Sequence, residues 1–363
     1  MKSKALWSVF LLLAGSICFF SGPFLHSAEA KDIVLKYAHF GGESVDTAQA
    51  DKWWASEVER RTNGKVKFRF FFSQSLLKAP DMLNGISSGI ADVGLVASAY
   101  SPTHLPLTSL YEQLYISMKP DVQTYAAKEM YEKVPAFHEE YKKNNVRLVN
   151  AYGIAPTIIA GKGSPIENLS DMQDKKIRAV AKLGDLMSRL GATPVALPVP
   201  ELYGALERGV VDGYTAIPLV YVVALKLDEQ SDWIMDPRIG IYHVSTTVMN
   251  LDTWKSLPED VRQVMEEVSA EVPAKYIEIL ESLEKAAYEK IAANPKIKLY
   301  RLGASETERW KEKVLPDIWN KVVDDVAQRN PHAQEVWEAY QKLMKEYEGK
   351  SQYHWIMEER LGN

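Results

Sequence analysis

Leu83-Asn84-Gly85-Ile86-Ser87-Ser88-Gly89-Ile90-Ala91-Asp92 and Leu206-Glu207-Arg208-Gly209-Val210-Val211-Asp212 end alike. Each closes a helical run with a glycine, then places two apolar residues and an aspartate at the entrance to a strand. A glycine just past a helix supplies the left-handed residue that a C-cap requires. Many helix–strand joints look like this, but a second copy about one lobe further along the chain points to two lobes of similar construction. In open α/β sheets ligands sit beyond the carboxyl ends of the strands. That rule places residues 97–100 and 214–217 near a shared cleft.

Working outward, strand-like and helix-like segments alternate. Residues 33–40 read as a strand, 46–61 as a helix closed by Asn63-Gly64, and 65–72 as a strand with alternating aromatics. A helix at 79–88 precedes a strand at 90–96. Short strands follow at 146–151, 157–160 and 177–180, with helices at 184–190 and 201–208, each stopped by glycine. This order is that of an α/β protein with mostly parallel sheets. Beyond residue 258 the pattern becomes long and helical, with acidic residues at its start where they suit the helix dipole. Prolines at 273, 295 and 331 interrupt its periodicity, which favours helices wrapped over the lobes above a coiled coil.

The first thirty residues read as a secretory signal rather than part of the fold. Lys2 and Lys4 precede an apolar run to about Phe20, and Ala28-Glu29-Ala30 offers a small-residue cleavage site. Cys18 as a lipidated anchor is the rival reading, and Ile17 before it fits that processing poorly. The chain carries 43 basic and 48 acidic residues, a formal charge of −5. No basic tract of the kind nucleic acids require is present. Cys18 is the single cysteine, so the exported chain has no disulfide and no thiolate chemistry.

Catalytic motifs are missing. There is no H-E-x-x-H, G-x-S-x-G, phosphate loop or dinucleotide fingerprint, and no metal or cofactor is expected. The histidines are scattered rather than set at ligand spacing. His39, which ends the first strand before Gly41-Gly42, is the one placed to face a cleft. Arg178, in Lys176-Ile177-Arg178, offers a rigid donor fork that matches a carboxylate and stays charged in a closed site. The bland alternative is an arginine paired with a neighbouring Asp or Glu.

Lys176-Ile177-Arg178, Leu190-Gly191-Ala192-Thr193-Pro194 and Glu201-Leu202-Tyr203-Gly204-Ala205-Leu206-Glu207-Arg208-Gly209-Val210-Val211-Asp212-Gly213 together resemble the extracytoplasmic solute receptors of tripartite ATP-independent periplasmic (TRAP) transporters. Gly89-Ile90-Ala91-Asp92-Val93-Gly94 and Val248-Met249-Asn250-Leu251-Asp252-Thr253-Trp254 continue the likeness in the family's order. The resemblance implies a two-lobed periplasmic-binding-protein-like fold with a ligand cleft between lobes and long C-terminal helices. It implies lobe I from residues 31–154 plus 244–285, and lobe II from 155–243 plus 286–363. It also implies a small organic acid as solute, with Arg178 on its carboxylate. By motif match, Glu201, Tyr203, Gln74, Tyr214 and Thr215 join the site.

Two departures narrow the ligand. Some relatives supply a second arginine from the strand before K-I-R, where this chain reads Gly153-Ile154-Ala155-Pro156-Thr157. An Asn that others place after Asp-Gly is replaced by the run Tyr214-Thr215-Ala216-Ile217-Pro218. A monocarboxylate with an apolar or aromatic body therefore fits better than a dicarboxylate, with Phe40, Trp53, Trp54, Tyr100 and Tyr214 as candidate walls. The expected protein is periplasmic and monomeric, and it delivers its solute to integral membrane permease subunits. The alternative is a receptor that presents the bound acid to a membrane sensor kinase. A periplasmic enzyme would need Glu201 as its base.

Overall fold

A computed structural model describes residues 32–315 and 317–362. The proposed signal segment lies outside them. Eleven strands are described: β1 (Ile33–Ala38), β2 (Val66–Phe71), β3 (Val93–Ala97), β4 (Val146–Gly153), β5 (Ile159–Gly161), β6 (Lys176–Arg178), β7 (Thr193–Val195), β8 (Gly213–Tyr214), β9 (Trp233–Asp236), β10 (Val244–Asn250) and β11 (Lys298–Arg301). They form two sheets, ordered β2-β1-β3-β10-β4 and β11-β9-β5-β8-β6-β7.

Each sheet is parallel apart from one reversed strand. β10 is antiparallel to both its neighbours, and so is β5. The chain path requires this. β4 leaves the first sheet at its carboxyl end, and residues 154–158 carry the chain to β5, which begins at that same edge and must run away from it. β9 exits in the same manner through residues 237–243 into β10. The two reversed strands therefore mark where the chain passes between lobes.

The repeated joint has the same construction in both sheets. Gly89 and Gly209 take φ values of +78° and +68°. The Asp92 carboxylate accepts the Lys36 N–H at 2.8 Å, and the Asp212 carboxylate accepts the Lys176 N–H at 2.8 Å. Each aspartate N–H also donates back to the carbonyl of that lysine. A short acidic side chain thus pins a lysine N–H on the neighbouring parallel strand.

The helix Glu259–Ala292 runs unbroken through Pro273, contrary to the expected interruption. Proline cannot bond the carbonyl four residues back. Here that carbonyl, Ser269 O, is taken by Lys128 Nζ at 3.3 Å. The helix packs against Asp46–Arg61 and β4 in the first lobe and Leu219–Ala224 in the second. Further along the C-terminal helical region stand two helices, Ala304–Val314 and Asp317–Ala327. The helix Ala333–Glu348 packs on Pro120–Lys133, and the last helix, Ile356–Leu361, packs on Glu259–Ala292 and β11.

Buried polar groups stitch these layers together. Asp51 accepts hydrogen bonds from Tyr152 Oη at 2.5 Å and Thr247 Oγ1 at 2.9 Å, and burial pushes its carboxyl up to about 7. Glu284, on the long helix, accepts from Tyr353 Oη at 2.5 Å, and burial pushes it to about 8. A carboxyl whose folded pKa lies above its unfolded value near 4.5 contributes fully below that value and loses its contribution as pH rises through about 8. Glu284→Gln, which stays neutral, should therefore gain stability relative to the native chain by roughly 1–4 kcal/mol between about pH 5 and pH 9. Melting curves across that range read the difference. A constant offset would mean that Glu284 titrates alike in the folded and unfolded chain.

Candidate functional site

β6 ends at Arg178, whose side chain is fully buried. Its Nε donates to Leu197 O at 3.0 Å, and its Nη1 donates to Thr215 O at 3.0 Å and Ala216 O at 3.4 Å. Nη2 has no hydrogen-bond partner among the described residues. Among the described residues no carboxylate forms an ion pair with Arg178, so the bland alternative of a local acid partner is not what the fold contains. Both N–H groups of Nη1 are committed to backbone carbonyls. The guanidinium therefore offers one nitrogen to a ligand rather than the open fork expected from its chemistry.

Ala216, one of the carbonyl acceptors in this grip, has a φ of +64°. An alanine pays an energetic penalty there, offset here by a local hydrogen-bond frame. Its N–H donates to Thr157 Oγ1 at 3.1 Å, and Thr215 Oγ1 donates to Ile158 O at 2.8 Å. The segment entering β5 thus fixes the turn that follows β8, and that turn fixes Arg178.

Ala216 also lines a cavity between the two sheets. Phe40, Ala97 and Tyr100 reach it from the first lobe, and Val180, Ile217 and Tyr221 from the second; Tyr242 and His243 come from the crossing segment, and Ser245 from β10. The Phe40 and Tyr100 rings meet edge to face at 5.9 Å. Tyr100 Oη accepts the Val199 N–H at 3.3 Å, a hydrogen bond that joins the lobes across the cleft. The walls leave about 20 Å³ of free space, room for roughly one water molecule. An acid of several heavy atoms enters only when the lobes part.

Arg178 is close enough to perturb two wall residues. His243 is buried, is pushed down to about 3 by desolvation and then by the Arg178 charge, and is neutral at physiological pH. Burial raises the Tyr242 hydroxyl well above its usual range, with the Arg178 charge opposing. The cavity is thus an apolar, aromatic chamber beside one buried cation.

Of the sequence candidates, Arg178, Phe40, Tyr100 and Thr215 come together here, Thr215 through its carbonyl. The others face elsewhere. Glu201 is exposed. Tyr203 Oη donates to Glu229 Oε2 at 3.3 Å on the outer surface of the second lobe. Tyr214 Oη meets Ser231 Oγ at 2.9 Å inside that lobe. Gln74 Oε1 accepts the Ala79 N–H within its own loop. His39 is locked between Gly41 N–H and Thr47 Oγ1, and burial pushes it down to about 4. Trp54 donates to Ser269 Oγ in the first-lobe core. Sequence reasoning missed Tyr221, Tyr242, His243 and Ser245. The available signal was Gly240, at φ +91° just before β10, which marks a tight crossing.

A two-lobed α/β scaffold closing on a cavity with a buried arginine defines a solute-binding protein. Residues 37–324 match the family model described as bacterial extracellular solute-binding protein, family 7, and the chain belongs to that family, the extracytoplasmic receptors of TRAP transporters. Among curated relatives, the ectoine-binding periplasmic protein of Halomonas elongata is 23% identical over 87% of this chain and 92% of that one. A TRAP periplasmic solute-binding protein from Desulfovibrio salexigens is 26% identical, with a TM-score of 0.73 over 88% of this chain and 98% of that one. One from Rhodoferax ferrireducens, solved with copurified benzoate, is 21% identical with a TM-score of 0.78, over 88% and 99%. The family works by capturing a small organic acid between lobes and handing it to a membrane permease, which is the transport reading and not the sensor-kinase one.

Proposed function

We propose that the chamber beside Arg178 is the solute site and that it takes a monocarboxylate with an apolar or aromatic body. The observation that carries this is the fully buried guanidinium, with Nη2 unpaired and no ion-pair partner among the described residues. An uncompensated buried charge costs several kcal/mol, and a ligand carboxylate removes that cost. A ligand that meets Arg178 from one side and Tyr100 from the other favours the closed lobes by its differential affinity for them. Among the described residues no lysine or arginine lines the chamber wall and His243 there is uncharged, so a second carboxylate would be left unmatched. The benzoate held by the Rhodoferax ferrireducens relative is an acid of this kind.

In this reading residues 31–154 with 244–285 form lobe I, and 155–243 with 286–363 form lobe II, the C-terminal helices packing across both. The chain is exported through the cleaved segment 1–30 to the periplasm and acts there as a monomer. It performs no turnover, and it docks on integral membrane permease subunits. The refolded chain 31–363, screened by thermal shift against aliphatic, aromatic, keto and dicarboxylic acids, tests the reading. A cognate acid at about a hundred times its Kd stabilises by roughly 2.7 kcal/mol. A response confined to dicarboxylates or to uncharged solutes would overturn it.

A further inference from the structure

His243 is the second polar group with an unmet valence in the chamber. It is 6% exposed, lines the cavity, and its Nε2 lies 2.9 Å from Ser245 Oγ. Among the described residues its Nδ1 has no hydrogen-bond partner. Buried polar atoms are almost always paired, so the unpaired His243 Nδ1 on the chamber wall and the unpaired Nη2 of Arg178, whose guanidinium grips the wall residue Ala216, are two halves of a recognition pattern. Resting on the carboxylate reading above, we infer that His243 is the specificity-determining residue that reads a hydroxyl on the acid bound by Arg178, so that the preferred solutes are hydroxy acids.

The chemistry favours a hydroxyl over other partners. The ring stays uncharged beside Arg178, so it supplies no counter-charge for a second carboxylate. Ser245 Oγ makes no other hydrogen bond among the described residues. Donation from that hydroxyl to Nε2 leaves Nδ1 carrying the proton, and the opposite tautomer leaves Nδ1 as an acceptor. A hydroxyl both donates and accepts, so it satisfies Nδ1 in either tautomer, whereas a keto oxygen satisfies only the first. Tyr242, whose ring centroid lies 4.2 Å from that of His243, keeps the imidazole from turning away.

Matched pairs test this: phenyllactate against phenylpropanoate, and hydroxyisocaproate against isocaproate, each titrated calorimetrically into the refolded native chain and His243→Leu. The native chain should prefer each hydroxy acid by about tenfold or more, because the deoxy analogue leaves a buried nitrogen unpaired. In His243→Leu that preference should collapse, with the deoxy acids retained. Equal binding of both members by the native chain overturns the inference. So does an equal loss for both in the variant, which would make His243 a second contact to the carboxylate. If no acid of either kind binds the folded native chain, the carboxylate reading itself falls and takes this inference with it.

Discussion

Arg178→Ala is expected to lose solute affinity by on the order of a hundredfold or more while remaining folded. Truncating one member of a buried charge pair costs roughly 2–5 kcal/mol, because the ligand carboxylate is left desolvated without its partner. The variant also frees Leu197 O, Thr215 O and Ala216 O from the guanidinium, so circular dichroism and a denaturant midpoint must accompany the titration. Arg178→Lys separates charge from shape. A lysine keeps the cation but has no separate arms with which to grip three carbonyls and still present a free nitrogen, so it should recover only a small part of the affinity. Unaltered affinity in either variant, with the fold intact, would remove Arg178 from the site.

Gly153→Ala should destabilise the chain by about 3 kcal/mol or more. Gly153 ends β4, where the chain leaves the first sheet for the crossing to β5. A Cβ there would stand 2.4 Å from Pro120 O and 3.1 Å from Thr124 N, both backbone atoms, and 2.8 Å from Gln123 Cβ. These belong to the first turn of Pro120–Lys133, whose Thr124 Oγ1 accepts the Gly153 N–H at 2.8 Å. The Tyr276 hydroxyl, on the long helix, lies 3.0 Å from Gly153 O. Neither wall can retreat without moving a helix, so the strain is not relieved locally. Gly303→Ala is the control: nothing lies within 4 Å of its would-be Cβ, and its φ of −58° suits any residue. Its melting temperature should match the native chain, while that of Gly153→Ala falls. Matching melts for both would mean that the first turn of Pro120–Lys133 yields easily.

The repeated joint was legible because it is local. A helix, a glycine at positive φ and an aspartate all lie within ten residues, and the turn's geometry follows from backbone sterics, although the Lys36 and Lys176 N–H groups that the aspartates reach lie on strands distant in sequence. The strand-end rule likewise placed Ala97, Tyr100, Ala216 and Ile217 at the cavity. Arg178 could be singled out by residue type. Its free nitrogen could not, since Leu197, Thr215 and Ala216 approach it from loops distant in sequence.

The motif-borne candidates show the other limit. Glu201 and Tyr203 flank the start of the six-residue helix Leu202–Glu207, and successive helical residues point about 100° apart. The direction in which that helix docks, which no local pattern states, left Glu201 exposed and Tyr203 half-buried beside Glu229. Tyr214 and Thr215 are adjacent, yet Tyr214 ends β8 with its ring in the lobe core, and Thr215, in the turn that follows, gives its carbonyl to Arg178. By itself the sequence determined the α/β class and the paired lobes, and it singled out Arg178 by residue type. Those depend on periodicity, turn sterics and the permanent charge of a guanidinium. The tertiary structure alone decided which aromatics wall the chamber and that His243 stands beside Arg178. Those depend on how the crossing segments 154–158 and 237–243 bring distant residues to the one place where both sheets end.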